Sequence, residues 1–292
     1  MFDLDQLRSF TVLAAEKHFG RAAHRLFITQ SALTRRIQQL EAELDVLLLN
    51  RSSRTVALTA AGETFLTHAT AILSSSQEAV RAAREATGQP IGALSIGFDG
   101  ATTYAFLPQL IARARDTFPA LRLDFTEAGS QAQMTEVLFH RLDLGLVRPL
   151  PHDKALQMAC VRREDLALAL PITHRLAGKR RPQLQDLEDE AFVGYSEAGS
   201  YLRDLIGGEL THAGVTPRLV HEMGRAQAIL SLVSTGAGLA IVPSDSRNAC
   251  FDNVVFRPLP LRVKAELHAV WREDNRNPLL EPFRAMLERI ES

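Results

Sequence analysis

The sequence predicts an α/β protein made of an all-α N-terminal head, a long linker helix and a two-lobed body. Three observations predict it. Short apolar stripes at helical spacing, split by tight breaks, fill residues 1–58; one stripe free of proline runs from Thr59 to about Thr87; and strand-like runs alternate with helical ones after Gly92. The 292 residues exceed one ordinary core, and 46% hydrophobic with 23% charged residues is a globular composition.

In the head, Leu4, Leu7, Phe10 and Ala14 form the stripe of a first helix. Gly20 interrupts, and Ala22, Ala23 and Leu26 give a short second one. Phe27-Ile28-Thr29 is the turn, and Thr29 suits an N-cap because its hydroxyl accepts an orphan helix N–H. The third helix points Ala32, Leu33, Ile37 and Leu40 inward and leaves Arg35, Arg36, Gln38 and Gln39 outside. Two short helices joined this way are a helix-turn-helix. Residues 51–58 alternate weakly and open on small polar residues, as in a two-stranded wing.

In the linker helix, Phe65, Ala69, Ile72, Ser76, Ala79 and Ala83 share a face that Leu66, Leu73 and Val80 widen. So long an apolar face needs a partner, and a second copy of the chain is the expected one. Thr87-Gly88-Gln89-Pro90 ends it.

Alternating strands and helices imply a parallel sheet. One series runs through strands at 94–98, 121–126 and 142–147; a second begins at 166–170 and runs to the buried strand at 239–242. The strand at 266–271 and the helix at 279–290 return to the first lobe, so the chain crosses twice and leaves a hinged cleft. The expected division is a head at 1–58, a linker at 59–90 and a body at 91–292; lobe I takes 91–162 and 266–292, and lobe II takes 163–265.

Several classes are excluded. There is no apolar run of about 18 residues for a membrane span, and the acidic start Met1-Phe2-Asp3-Leu4-Asp5-Gln6 is unlike an export signal, so a cytoplasmic protein is expected. Phosphate-loop, dinucleotide and nucleophile-elbow motifs are missing and the histidines are scattered, which argues against an enzyme or a metal cofactor. Cys160 and Cys250 lie far apart and make no metal spacing. The net charge of −1 averages over the chain, whereas Lys17 to Leu40 carries Lys17, Arg21, Arg25, Arg35 and Arg36 with no acid. Such a local basic face binds phosphates.

The run His18-Phe19-Gly20-Arg21-Ala22-Ala23-His24-Arg25-Leu26, followed by Thr29-Gln30-Ser31-Ala32-Leu33-Thr34-Arg35-Arg36-Ile37-Gln38-Gln39-Leu40-Glu41, closely resembles the helix-turn-helix of LysR-type transcriptional regulators. The likeness continues through Leu58-Thr59-Ala60-Ala61-Gly62, and Leu142 to Val147 and Gly236 to Pro243 are similar to the family's sensor half. Asp45 departs from the family's usual glycine. The resemblance implies a winged helix-turn-helix and a two-lobed, periplasmic-binding-protein-like (Rossmann-like) effector domain. It further implies promoter DNA as partner, a homodimer or homotetramer bending one promoter, and contact with RNA polymerase. Leu146-Val147-Arg148-Pro149 and Val255 to Leu259 resemble the branch that answers muconate and benzoate-type acids.

On this reading the helix after Thr29 enters the major groove. Gln30 pairs with adenine and Arg35 with guanine, at about 1–3 kcal/mol of discrimination each. Ser31 and Thr34 fit near base edges or phosphates; Arg36, Arg21 and Arg25 meet phosphates or form surface pairs. In the wing, Arg54 enters the minor groove while Arg51 and Ser53 touch backbone.

Ligands of open α/β sheets sit beyond strand carboxyl ends, near helix N-termini. That rule selects Thr102, Thr103, Ser130 and Arg148 from lobe I, and Ser200, Tyr201 and Gln227 from lobe II. Hydroxyls, N–H groups and one arginine suit a small organic acid as effector. The hydroxyl residues equally suit helix caps, and Arg148 equally suits an ion pair with a nearby acid. The alternative is a redox-responsive or ligand-independent regulator of the same fold; the separation of Cys160 and Cys250 fits the redox version badly. An exported solute-binding protein would share the two lobes and lack residues 1–90.

Overall fold

The computed structural model describes residues 2–26, 28–52, 55–85 and 92–287. Two compact units divide the chain, residues up to Gly92 together with 138–141, and the remainder.

The first unit holds α1 (Leu4–Glu16), α2 (Phe19–Arg25), α3 (Gln30–Leu44), the antiparallel pair β1 (Leu49–Ser52) and β2 (Thr55–Leu58), and α4 (Ala60–Glu85). Asp3 and Gln6 start α1 with a reciprocal capping box. His18 caps α2 through Nδ1, and Thr29 caps α3 by accepting the Ala32 N–H at 3.2 Å. The core gathers Leu7, Phe10 and Leu13 of α1, Ala22 and Ala23 of α2, and Leu33, Ile37 and Leu40 of α3. Two expected inward residues, Leu4 and Ala32, are exposed. Glu41 takes an inward place instead, its Oε1 accepting the Leu48 and Leu49 N–H groups at 2.9 and 3.1 Å.

The α4 stripe is divided. Phe65 packs edge-on against Phe2 and tilted against Phe10, and Ala69 and Leu73 are buried in the same core. Ile72, Ala79 and Ala83 remain exposed. Gly62 is required at the first turn of α4, because a Cβ there would sit 2.1 Å from the Leu48 carbonyl oxygen.

The second unit runs β3 (Ala93–Phe98), α5 (Phe106–Thr117), β4 (Arg122–Glu127), α6 (Ser130–Leu138), β5 (Leu144–Val147), β6 (Leu156–Glu164), β7 (Leu166–Pro171), β8 (Ala191–Tyr195), α7 (Ser200–Ala213), β9 (Arg218–Met223), α8 (Ala226–Ser234), β10 (Ala240–Pro243), β11 (Val254–Pro258), β12 (Ala265–Arg272) and α9 (Leu280–Leu287). One lobe is a five-stranded sheet in the order β4-β3-β5-β12-β6. The other joins β10-β7-β11 to β8-β9 through bonds from Val193 N–H to Leu239 O and from Leu239 N–H to Ala191 O, each 2.9 Å. Each lobe has its own apolar core.

The sheets are mixed, which corrects the expectation of a parallel one. β3 runs parallel to β4 and β5, whereas β12 is antiparallel to β5 and β6, and β7 is antiparallel to β10 and β11. The antiparallel partners are the strands that carry the chain between lobes or back from them. β6 leads out at Asp165 and β12 leads back at Lys264, so the lobes are joined by a two-stranded ribbon. α9 lies on the first lobe, with Phe283 against Phe118 at a ring separation of 6.4 Å.

Candidate functional site

The head presents the N-terminus of α3 to solvent. Gln30, Ser31 and Arg35 are exposed and Thr34 is half-buried. The Thr34 hydroxyl donates to the Gln30 carbonyl at 2.9 Å, and the Ser31 and Thr29 hydroxyls lie 3.0 Å apart. The positive end of the helix dipole adds to the attraction for a phosphate. Arg35 has no ion-pair partner among the described residues, so its guanidinium is available for a guanine edge.

Three of the other basic residues are engaged by acids from α1. Glu16 pairs with Arg25 at 2.8 Å and with Arg21 at 3.4 Å, and Arg21 also donates to the Glu16 carbonyl at 2.6 Å. Arg36 reaches Ser9 at 3.4 Å and Asp5 at 3.7 Å. All three thus form surface pairs in this structure. Arg51 stands in β1, and Ser53 and Arg54 lie outside the described residues.

In the second unit a cavity of about 650 Å³ opens between the lobes. That volume suits a small ligand. Three helix N-termini face it: Ser130 of α6, Ser200 and Tyr201 of α7, and Gln227 of α8. Their dipoles and first-turn N–H groups make this end of the cleft attractive to an anion, although the Ser200 N–H is already bonded to the Glu197 carbonyl.

Arg148 lies on the cavity wall, but its charge is already met. Its Nη2 reaches Glu164 at 2.5 Å, its Nη1 donates to the Glu266 carbonyl at 2.9 Å, and its backbone N–H donates to the Ser130 hydroxyl at 2.9 Å. Burial opposes the cation, but the attraction of Glu164 and Asp99 outweighs it and lifts the pKa above the usual arginine value. The helix N-termini are therefore the stronger anion feature. Beside Arg148, the buried Tyr195 hydroxyl has no hydrogen-bond partner among the described residues, and burial pushes its pKa up.

Thr102 and Thr103, expected as ligand contacts, do not line the cavity. The Thr102 hydroxyl is buried and donates to the Asp99 carbonyl at 2.7 Å, and the exposed Thr103 hydroxyl donates to the Gly100 carbonyl. The 3-10 turn at Gly100–Tyr104 folds both back, and Asp99, Gly100, Ala101 and Tyr104 line the wall instead. Sequence reasoning also missed Glu197 and Arg225. Arg225 meets Glu127 of the opposite lobe at 2.9 Å, and only that fold-dependent partner marks it out. Cys160 lies in β6 of the first lobe and Cys250 beyond β10 in the second, and neither is in a disulfide.

Comparison with known proteins agrees with this division. Residues 4–63 match the model for the bacterial regulatory helix-turn-helix protein, lysR family, and residues 87–290 match the LysR substrate binding domain. The HTH-type transcriptional regulator AlsR of Bacillus subtilis (strain 168) is 35% identical over 284 residues, covering 96% of this chain and 94% of AlsR. The crystal structure of full-length CbnR complexed with its target DNA is 28% identical with a TM-score of 0.68, covering 99% of this chain and 100% of that one. The BenM effector binding domain, solved with its effector benzoate, is 25% identical with a TM-score of 0.60 and covers 68% of this chain and 91% of that one.

Proposed function

Because this chain belongs to the LysR family of DNA-binding transcriptional regulators, whose members are not enzymes, we propose that it controls a promoter in response to a small organic carboxylate held between its lobes. One observation carries the reading: three helix N-termini converge on a single cavity of small-molecule size. A carboxylate meets backbone N–H donors there from Ser130 and Gln227 and the Ser200 hydroxyl, while Tyr104, Leu150 and Tyr195 offer an apolar wall for a ring or chain. BenM takes benzoate, and the shared fold supports an acid of that kind here.

DNA is read by Gln30 and Arg35 on α3, with Ser31 and Thr34 beside them. The exposed Ile72, Ala79 and Ala83 of α4 support a dimer through that helix. Two dimers then hold one promoter in the cytoplasm, and the ligand, by preferring one angle between lobes, alters the DNA bend and the contact with RNA polymerase. No described helix is long and apolar enough to cross a membrane.

The test is a thermal-shift screen of small aromatic and aliphatic acids on the full chain, followed by footprinting. A true effector at a hundred times its Kd stabilises by about 2.7 kcal/mol, which raises Tm by about 5–11 °C for a unit of this size. The same acid is expected to change the length or pattern of the promoter footprint. Hits that leave the footprint unaltered, or a screen in which only bases and neutral sugars shift Tm, would overturn the carboxylate reading.

A further inference from the structure

The ribbon joining the lobes carries a side-chain cluster that neither DNA reading nor the cavity employs. Cys160 of β6 and Glu266 and His268 of β12 each place one donor atom within 4.8 Å of the other two. All three are partly buried, with the His268 side chain 17% exposed.

The register explains how they meet. Glu266 and His268 are two apart on one strand and so share a face. Leu267 pairs with Arg162 but His268 pairs with Cys160, so Val161 is an extra residue in β6. That bulge lets Val161 enter the core while Cys160 turns to the face of Glu266 and His268.

We propose that Cys160, Glu266 and His268 bind a thiophilic divalent cation of the Zn²⁺ type, with water as fourth ligand. Thiolate, imidazole and carboxylate form the donor set of such ions, whereas Mg²⁺ and Ca²⁺ take oxygen. Tetrahedral zinc spaces its ligand atoms about 3.4–3.6 Å apart, given bond lengths of about 2.0–2.3 Å. His268 Nε2 and Glu266 Oε2 already stand 2.9 Å apart, and the Cys160 Sγ, which donates to the Arg162 carbonyl at 3.5 Å, lies within 4.8 Å of both and would turn from that carbonyl to the ion. Glu266 Oε1 is held by Arg163 at 2.8 Å, which leaves Oε2 for the ion. The buried His268 Nδ1 has no partner among the described residues, so a rotation of the ring breaks no bond on that side. Binding displaces the Cys160 thiol proton to solvent, and a proton from His268 wherever it carries two. The ion would tie β6 to β12 beside Tyr201, whose hydroxyl accepts the Glu266 N–H at 3.0 Å on the cavity wall.

The experiment uses tag-free, full-length, reduced protein stripped of metal and titrated with Co²⁺ without oxygen. A thiolate-to-cobalt charge-transfer band with intense tetrahedral d–d bands is expected, both bleached by stoichiometric Zn²⁺. Cys160→Ser should abolish the charge-transfer band, His268→Gln should weaken cobalt binding, and Cys250→Ser should leave the spectrum unchanged. Zn²⁺ should raise the Tm of the wild type and of Cys250→Ser but not of Cys160→Ser, since only a native-state ligand set stabilises. Absence of the band in folded wild type, its survival in Cys160→Ser, or its loss in Cys250→Ser would overturn the site. None of these outcomes bears on the carboxylate cavity.

Discussion

Glu164→Gln isolates the Arg148 guanidinium inside the lobe. The pair lies at 2.5 Å with side chains only 10% and 9% exposed, so water compensates poorly for the lost carboxylate. Removing one partner of a buried pair costs about 3–5 kcal/mol, against at most about 1 kcal/mol for an exposed one. At about 2–4 °C per kcal/mol for a unit of this size, the melting point should fall by about 6–20 °C. Replacing both residues by leucine removes the stranded charge and should recover most of that loss. The assay is a double-mutant cycle by thermal and urea melts, monitoring the second unit through Trp271, the single tryptophan. If Glu164→Gln costs no more than an exposed pair would, or the double variant is as unstable as the single ones combined, burial of the pair is not what governs its energetics.

Arg35→Ala should narrow the gap between operator and mutated operator by about 1–3 kcal/mol, roughly 5–150-fold, read by fluorescence anisotropy at fixed salt. Arg25→Ala, whose guanidinium already sits with Glu16, should weaken binding to all sequences only slightly. Gly62→Ala forces a methyl carbon onto the Leu48 carbonyl and should destabilise the head by about 1–3 kcal/mol, measured as hydrogen-exchange protection of α1 and α3. Acid should loosen lobe II through two carboxyls. Burial opposes ionisation of Glu190, but hydrogen bonds from Arg175 and His174 outweigh it and hold its pKa below the usual 4.5; Lys179 and the Gln183 N–H hold Asp186 below 3.8. Their stabilisation is complete above those ordinary values and disappears as pH falls through the lower folded ones. Glu190→Gln should therefore flatten the acid limb of a Tm-against-pH curve and leave the neutral plateau shape unaltered.

Much of the fold was legible because local pattern dictates it. Leu33, Ile37 and Leu40 fall on one helical face whatever lies opposite, and Thr29 caps α3 by its own hydroxyl. What was hidden depends on distant partners. Glu41 goes inward only because two N–H groups near β1 need an acceptor. The acid-free window from Lys17 to Leu40 looked basic, yet Glu16 and Asp5 fold against it from outside. β6 was missed since its bulge breaks the alternation, leaving Leu156 and Val161 buried at an odd spacing. β8 is buried nearly throughout and so shows no alternation at all. Asp45, noted as departing from glycine, closes α3 with φ of 54°, a left-handed conformation that aspartate tolerates better than most residues. Thr102 and Thr103 satisfy the strand-end rule in position but not in direction, because a short turn aims both hydroxyls at the backbone.

The β6–β12 connection has a mechanical consequence. A hydrogen-bonded pair of strands resists sliding, since one residue of slip would break every ladder bond and turn each side chain over, whereas twisting is the natural deformation of such a pair. Relative movement of the lobes is thereby confined to a narrow family of rotations. Chemically different molecules entering the cleft would push the body along one shared path, differing in how far they drive it rather than in where it goes.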